Sequence, residues 1–369
     1  MRLAHVSDCY LPRTGGIETQ VRSLALAQRD AGYDVRVITA TPGHDAVRAG
    51  LDIVDGLPVH RLAVDLPGEI PIHPRTRAAV VEILRAHPVE ALHIHAGVIS
   101  PFAWGALRAA RELDLPTVVT VHSVWGPLAR PGFKAALPLL HWRRTVMSAV
   151  SDMAAQRISD ALGLEVAVLP NGIDPALWQA ATPYVAEPGV LRPVSVLRLA
   201  PRKRVGALLK ALARTQVLLG PHIALRSTII GDGPERSRAE RLAHRLGLDA
   251  DFTGRLTRDE IRERFGASDA FVQASVRESF GIAALEARTF GLPVIARSQA
   301  GTGEFVADGV NGLLADDDAG LGQAVARLGQ DPELIARMTA YNRTHEPEQT
   351  WPRVVGMARD LYLAAGASG

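Results

Sequence analysis

Short apolar runs alternate with stretches of helical periodicity along the whole chain. In the first half, Leu3–Ser7, Asp34–Thr39, Pro58–Leu62, Ala91–His95, Thr117–His122, Met147–Ser151 and Val166–Leu169 read as strands. Helices are expected over Gln20–Ala31, Arg75–Arg85 and Asp152–Leu162, with Gly32 stopping the first. The second half repeats the rhythm, with strands at Val194–Leu199, Leu225–Gly231, Asp251–Thr253, Ala270–Gln273, Val294–Ala296 and Asn311–Leu314. Its helices are expected at Arg204–Leu219, Pro234–Leu246, Asp259–Ala267, Ile282–Phe290 and Ala319–Leu328. Such alternation predicts an α/β protein whose parallel sheets are covered on both faces, with ligands at the carboxyl ends of the strands. Thr182–Gly189, with two prolines and a glycine, reads as a hinge between the halves. After the polar stretch Asn342–Gln349, apolar residues Trp351, Val354, Val355, Ala358, Leu361 and Tyr362 recur at helical spacing. The expected division is therefore residues 1–182, residues 190–345 and a terminal helix in 351–369.

Composition excludes several functions. The chain has 369 residues, 47% hydrophobic and 22% charged, enough for two packed domains of ordinary size. Residues 1–184 carry 17 basic and 17 acidic side chains, leaving 24 of 41 and 22 of 39 for the rest. Neither half is a basic module, so no nucleic-acid partner is expected. Cys9 is alone, which excludes an internal disulfide framework and fits a reducing, cytoplasmic compartment. The run Ala91–Leu107 lacks formal charge but contains His93, His95 and Pro101, and is too short and polar to span a bilayer. Only three lysines occur, Lys134, Lys203 and Lys210, against a background of arginine. Lys134 and Lys210 are read as chance; Lys203 stands in a position that suits a compact charge.

The densest chemistry lies in Arg277-Glu278-Ser279-Phe280-Gly281-Ile282-Ala283-Ala284-Leu285-Glu286. Two carboxylates eight residues apart fall on nearly one helix face. Gly281 permits close approach, and the amides of Phe280, Gly281 and Ile282 would point from a helix N-terminus, where phosphate is stabilised. Two glutamates on one face are usually a solvated surface. Here Ala283, Ala284, Leu285, Ala287 and Phe290 leave little surface for them. Acids that accept from hydroxyls, beside amides that hold phosphate, describe a site for a nucleotide sugar. Arg198 and Lys203 bracket a strand-to-helix turn, against the helix dipole, which suggests an anionic ligand; Arg202 and Arg204 read better as surface arginines. Thr14-Gly15-Gly16-Ile17-Glu18 opens a helix after the first strand and suits a phosphate. Gly231-Asp232-Gly233-Pro234 is a tight loop lacking the third glycine of a dinucleotide site. His122 ends a strand, where a catalytic and a structural role weigh equally. His93 and His95 share a face with metal-ligand spacing, but no third ligand is evident, so they read as cleft lining or structural. Asp316-Asp317-Asp318 reads as a plain acidic loop rather than a metal motif.

Taken in order, these motifs resemble family 4 of the retaining glycosyltransferases, which have the GT-B fold: two doubly wound Rossmann-like domains facing across a cleft. The resemblance spans almost the whole chain. It includes Gly15-Gly16, His122, Pro170-Asn171-Gly172-Ile173-Asp174, Arg198 with Lys203, Gly231-x-Gly233-Pro234 and Phe252-x-Gly254-x-Leu256. Glu278-x7-Glu286 and the run from Gly291 through Ala296 to Gly301 and Glu304 follow. The front, Asp8-x-Tyr10-Leu11-Pro12-x-x-Gly15-Gly16-Ile17-Glu18, looks most like the GlcNAc transferases that begin GPI anchors and their bacterial relatives. Leu197, Ala300 and Gly303 depart from the family pattern. The resemblance implies that the Gly16 amide touches the donor diphosphate, that His122 lies by the sugar, and that Arg198 and Lys203 clamp the diphosphate. It implies that backbone near Leu256 meets the base. Glu278 with the Phe280–Ile282 backbone would hold sugar hydroxyls, and Glu286 the ribose. It further implies that neither metal nor cofactor is required and that the terminal helix crosses back to the first domain.

The resulting expectation is transfer of a hexose or N-acetylhexosamine from a nucleoside diphosphate sugar to a hydroxyl acceptor: a glycolipid, polysaccharide or small metabolite. The alternatives are a non-catalytic nucleotide-sugar subunit and a GT-B epimerase. A phosphorylase lacks support for a cofactor-bearing lysine, and a nicotinamide dehydrogenase lacks the glycine fingerprint. Pro131–Arg144 mixes apolar and basic residues. It suits peripheral contact with the inner face of a membrane or a lipid-linked acceptor, and equally a loop packed on its own domain.

Overall fold

The computed structural model describes residues 1–13, 15–43, 48–64, 73–97, 100–123, 143–180 and 185–368. Two compact units divide the chain: Met1–Gly172 with Gln349–Gly369, and Ile173–Glu348. The basic-apolar stretch at 131–142 and the front of the expected hinge, 182–184, lie outside the described residues.

The first unit runs β1 (Arg2–Ser7), α1 (Gly16–Asp30), β2 (Asp34–Thr39), β3 (Gly50–Val54), β4 (Leu57–Arg61), α2 (Thr76–Ala86), β5 (Ala91–Ala96) and α3 (Pro101–Glu112). It continues β6 (Thr117–Val121), β7 (Thr145–Ala149), α4 (Asp152–Leu162) and β8 (Ala167–Val168). The eight strands are ordered β3-β4-β2-β1-β5-β6-β7-β8. All pair in parallel except the hairpin β3–β4. β3 was not expected, because its apolar residues Leu51 and Ile53 are exposed and carry no core signal. Its turn, Asp55-Gly56, has both residues at positive φ, the two-residue geometry that an Asp-Gly pair favours.

The two faces of this sheet differ. Ala4, Val6, Leu92, Ile94, Ala96, Val119, Val121, Met147 and Ala149 form one core with residues of α2, α3 and α4. The alternate positions begin apolar, with Leu3, Ala91 and Val118 packed on Leu24, Val354, Val355, Ala358 and Tyr362. They turn polar toward the carboxyl ends of the strands, at His5, Ser7, His93, His95, Thr120 and Ser148, all buried. The C-terminal helix, Trp351–Ala364, thus supplies this unit's second core layer.

The second unit runs β9 (Val190–Leu191), β10 (Pro193–Val196), α5 (Val205–Leu219), β11 (Ala224–Ile230), α6 (Arg236–Arg245), β12 (Asp249–Gly254), α7 (Arg258–Gly266) and β13 (Ala270–Val272). Then come α8 (Ile282–Phe290), β14 (Val294–Arg297), β15 (Gly312–Ala315), α9 (Asp318–Gln330) and α10 (Pro332–Thr344). Its sheet is ordered β12-β11-β10-β13-β14-β15, with β9 beside β11, and every pairing is parallel. α10 was not expected. Asp331 caps it by accepting from the Leu334 amide, Pro332 opens it, and Leu334, Ile335 and Met338 join the core.

Candidate functional site

In the second unit the groups singled out from sequence gather at the carboxyl ends of β10, β11 and β13. Lys203 ends a short turn, Pro201–Lys203, after β10. Its Nζ reaches Glu278 Oε2 at 2.5 Å, on the loop leading into α8. Glu278 is fixed through its backbone, since its carbonyl accepts from the Gly301 amide at 2.9 Å. Both side chains keep some solvent contact, 22% and 15%. Solvent still reaches the pair, so an anion with hydroxyls can exchange for it.

α8 starts without a side-chain cap, on Gly281 at φ 96°. Among the described residues no acceptor meets the amides of Ile282 and Ala283, while Ala284 and Leu285 bond to the Gly281 carbonyl. A helix of nine residues therefore presents bare N–H groups. Phe280 is buried against Phe305 and anchors the approach. Two buried polar atoms near Gly281 were missed from sequence: Gln273 Nε2 and Thr302 Oγ1 lack partners among the described residues. Isolated Gln and Thr carry no motif, so only the fold places them here.

Glu286, one turn into α8, is half-buried and has no hydrogen bond or ion pair among the described residues. Burial pushes its carboxyl up to about 8, against the pull of Arg258. A half-buried acid without a partner among the described residues is a cost that a ligand hydroxyl would repair. Arg198 is exposed and has no ion pair among the described residues, so it stays available to an anion. Leu256 is half-buried in the turn before α7.

Gly231 has a structural reason. Its φ is 128°, and a Cβ there would strike the Leu197 carbonyl oxygen; at Gly233 it would strike that of Leu199. The two loops are stitched by Leu197 and Leu199 amides donating to Ile230 and Asp232 carbonyls, each at 3.0 Å. One expectation is corrected. Arg204 is no loose surface arginine: it grips Asp318 through both terminal nitrogens, at 3.0 and 2.7 Å. In the acidic loop Asp316 and Asp317 are exposed, with Asp318 also bonded to Arg297, Asp317 capping α9 and Asp316 accepting from Ser298.

In the first unit, Gly15 caps α1 and Gly16 begins it, both exposed. Glu18 folds back so that its carboxylate lies where a Gly15 side chain would be, and is buried. The chain's own acid thus shares that helix end. His122 follows β6, half-buried, with Nε2 2.9 Å from His95 Nδ1. His93 and His95 gain the neighbour that sequence did not offer. β1 pairs with β5 in the register His5↔His93, and ring nitrogens of His5, His93 and His95 lie within 4.8 Å of one another. Each of their six ring nitrogens already has a hydrogen-bond partner, so the cluster is a satisfied network.

Comparisons with known proteins bear on both units. Residues 14–177 match the family model described as Glycosyltransferase Family 4, and residues 191–345 match that of glycosyl transferases group 1. The chain belongs to glycosyltransferase family 4. Membership makes it a glycosyltransferase with the GT-B fold. It is 28% identical to a glycogen synthase of Mycobacterium tuberculosis, over 99% of this chain and 95% of that protein. It is equally 28% identical to a phosphatidyl-myo-inositol mannosyltransferase of Mycolicibacterium smegmatis, over 100% and 95%. Among solved structures, HepE of Anabaena in complex with UDP and glucose superposes with a TM-score of 0.75 at 19% identity, covering 98% of each chain. The two sequence relatives are glucan- and mannosyl-directed by name; neither is a GPI-anchor GlcNAc transferase.

Proposed function

We propose that this glycosyltransferase moves a hexose or N-acetylhexosamine from a nucleoside diphosphate sugar to a hydroxyl acceptor, with retention at the anomeric carbon. The observation that carries the reading is the bare N-terminus of α8, entered by a loop that pairs Glu278 with Lys203 and followed one turn later by the unpartnered Glu286. A diphosphate would take Lys203 from Glu278 and gather Arg198 and the amides of Phe280, Gly281 and Ile282. Those donors stabilise charge that grows on the leaving phosphate as the glycosidic bond breaks. Released, Glu278 accepts from sugar hydroxyls, while Glu286 accepts from the ribose and backbone near Leu256 meets the base. Cations and amides would then do the neutralising without a metal ion. On the family resemblance, the leaving phosphate oxygen takes the acceptor proton.

HepE's complex with UDP supports a uridine or similar nucleotide. The inositol-lipid mannosyltransferase and the glycogen synthase support an acceptor that is a glycolipid or polysaccharide. A membrane contact through residues 131–144 belongs to the same proposal. Among the described residues, no helix is long and apolar enough to cross a membrane. Transfer or hydrolysis of donor, followed across a panel of nucleotide sugars, should fall about 10²–10³-fold in Lys203→Ala and Glu286→Ala. Unchanged turnover in both would refute the assignment.

A further inference from the structure

Two adjoining helices of the second unit share a basic outer surface. α5 carries Lys210 and Arg214 and no acid, while α6 carries Arg236, Arg238, Arg241 and Arg245 against Glu240 alone. Six basic residues and one acid leave the two helices at net +5, where the whole chain carries +2. The helices lie side by side. A Cβ on Gly206 would meet a Leu242 methyl group at 3.8 Å, and Gln216 Nε2 donates to the Gly247 carbonyl at 3.4 Å.

Helical spacing turns these charges outward. α6 buries Ala239 and Ala243. Arg238, Arg241 and Arg245 fall within an arc of about 60° on its far side. All three are exposed, and with His244 they line one open hollow. α5 buries Leu208, Leu212, Thr215 and Leu219, and its Lys210, Arg214 and Val217 share an exposed arc of similar width. The acids of this face are engaged: Glu240 holds Arg236 at 2.8 Å and Glu235 meets Arg238 at 3.5 Å. Lys210, Arg214, Arg241 and Arg245 have no ion pair among the described residues. Lys210 with Arg214, and Arg241 with Arg245, are like charges four apart, a spacing that destabilises a helix. Beside them Val217 is 79% exposed and Leu218 41%. Repulsion kept on a surface, with apolar side chains among the cations, is a local conflict that an anionic, partly apolar partner resolves.

We propose that the outward face of α5 and α6 docks on an anionic phospholipid surface. Headgroup phosphates neutralise the lysine and arginines, whose aliphatic stems lie along the boundary, while Val217 and Leu218 enter it. A single-stranded nucleic acid fits less well, because neither helix offers a Phe, Tyr or Trp for a base to stack on. The face is set apart from the donor groups. α5 leads away from the Lys203 turn and α6 from the Gly233 loop, and Val217, Arg241 and Arg245 lie toward their far ends. Docking here is separate from a contact through residues 131–144 and does not rest on the donor assignment.

The test is co-sedimentation of the full chain with vesicles of phosphatidylcholine alone and of phosphatidylcholine mixed equally with phosphatidylglycerol. The wild type is expected to bind the mixed vesicles, less as salt is raised, and to leave the neutral ones. A variant combining Lys210→Glu, Arg241→Glu and Arg245→Glu should bind at least about tenfold more weakly. A control combining Arg77→Glu, Arg85→Glu and Arg359→Glu, all exposed and off this face, changes net charge equally and should lose far less. No binding by the wild type, unchanged binding in the first variant, or an equal loss in both variants overturns the proposal. Binding to single-stranded nucleic acid with none to vesicles overturns the lipid as partner. If the first variant does not fold, Val217→Glu decides, since an acid there should also weaken binding. Donor turnover without vesicles should be equal in the wild type and the first variant, so a failure of docking is distinct from a failure of the transfer assay.

Discussion

At Glu286 the proposed donor contact would bring the charge state of one carboxyl under the control of the ligand. With burial holding it near 8, it is mostly protonated at pH 7. Hydroxyls that donate to a carboxylate favour its ionised form and lower that value. Donor binding at pH 7 should therefore release up to about one proton, read by calorimetry in buffers of different ionisation enthalpy. Glu286→Gln should abolish the release. The same acid affects stability. Between its ordinary value of 4.5 and about 8, the folded chain holds a proton that the unfolded chain has lost, so stability falls as pH rises through that window. Glu286→Gln should flatten this decline in the thermal midpoint. Sequence displayed Glu278, Glu286, Lys203 and Arg198 because charged residues amid apolar neighbours stand out. It concealed Gln273 and Thr302, whose significance is a matter of burial, and it concealed that Lys203 bonds to Glu278, since 75 residues separate them.

At the scale of elements, periodicity located most strands and helices, and α4 and α8 begin and end as expected. What it missed had either exposed apolar residues, as in β3, or a helix running into a polar tail, as in α10. Register was beyond it. His5 joins His93 and His95 only because β1 and β5 align residue 5 with residue 93. That alignment has a measurable consequence in acid. The unfolded chain takes up protons near 6.5, but His5 and His122 only at about 4, and His93 and His95 well below 6.5. Stability should thus drop as pH falls from about 6.5 to 4, and His5→Phe should reduce the slope of that drop. The paired loops after β10 and β11 predict a second effect. Gly231→Ala puts a methyl against the Leu197 carbonyl at φ 128°, and should cost about 1–3 kcal/mol in denaturant titrations, without a change at the first unit's histidines.

For the molecule as a whole, the most distant dependence is that of the first unit on the last residues of the chain. Tyr362 is fully buried and Val354, Val355 and Ala358 nearly so. At about 1.5–3 kcal/mol for each large side chain, their burial rivals the 5–15 kcal/mol or so that a domain has in total. Gly172 belongs to this contact, because a Cβ there would enter the Trp351 ring. Deleting residues 351–369 should leave the first unit molten, with strong binding of a hydrophobic dye, while the second unit keeps a cooperative transition. The helical spacing of Trp351–Leu363 was legible in sequence; which surface it covers was not, because an amphipathic stripe does not name its partner. On the proposed function, the α8 end of the second unit holds a nucleoside diphosphate sugar. Equilibrium titration of uridine and guanosine diphosphate sugars into wild type, Lys203→Ala and Glu286→Ala tests it most directly. Saturable binding of at least one donor is expected, weakened about tenfold or more in each variant, a loss of about 1.4 kcal/mol; equal affinity in all three proteins would rule the site out.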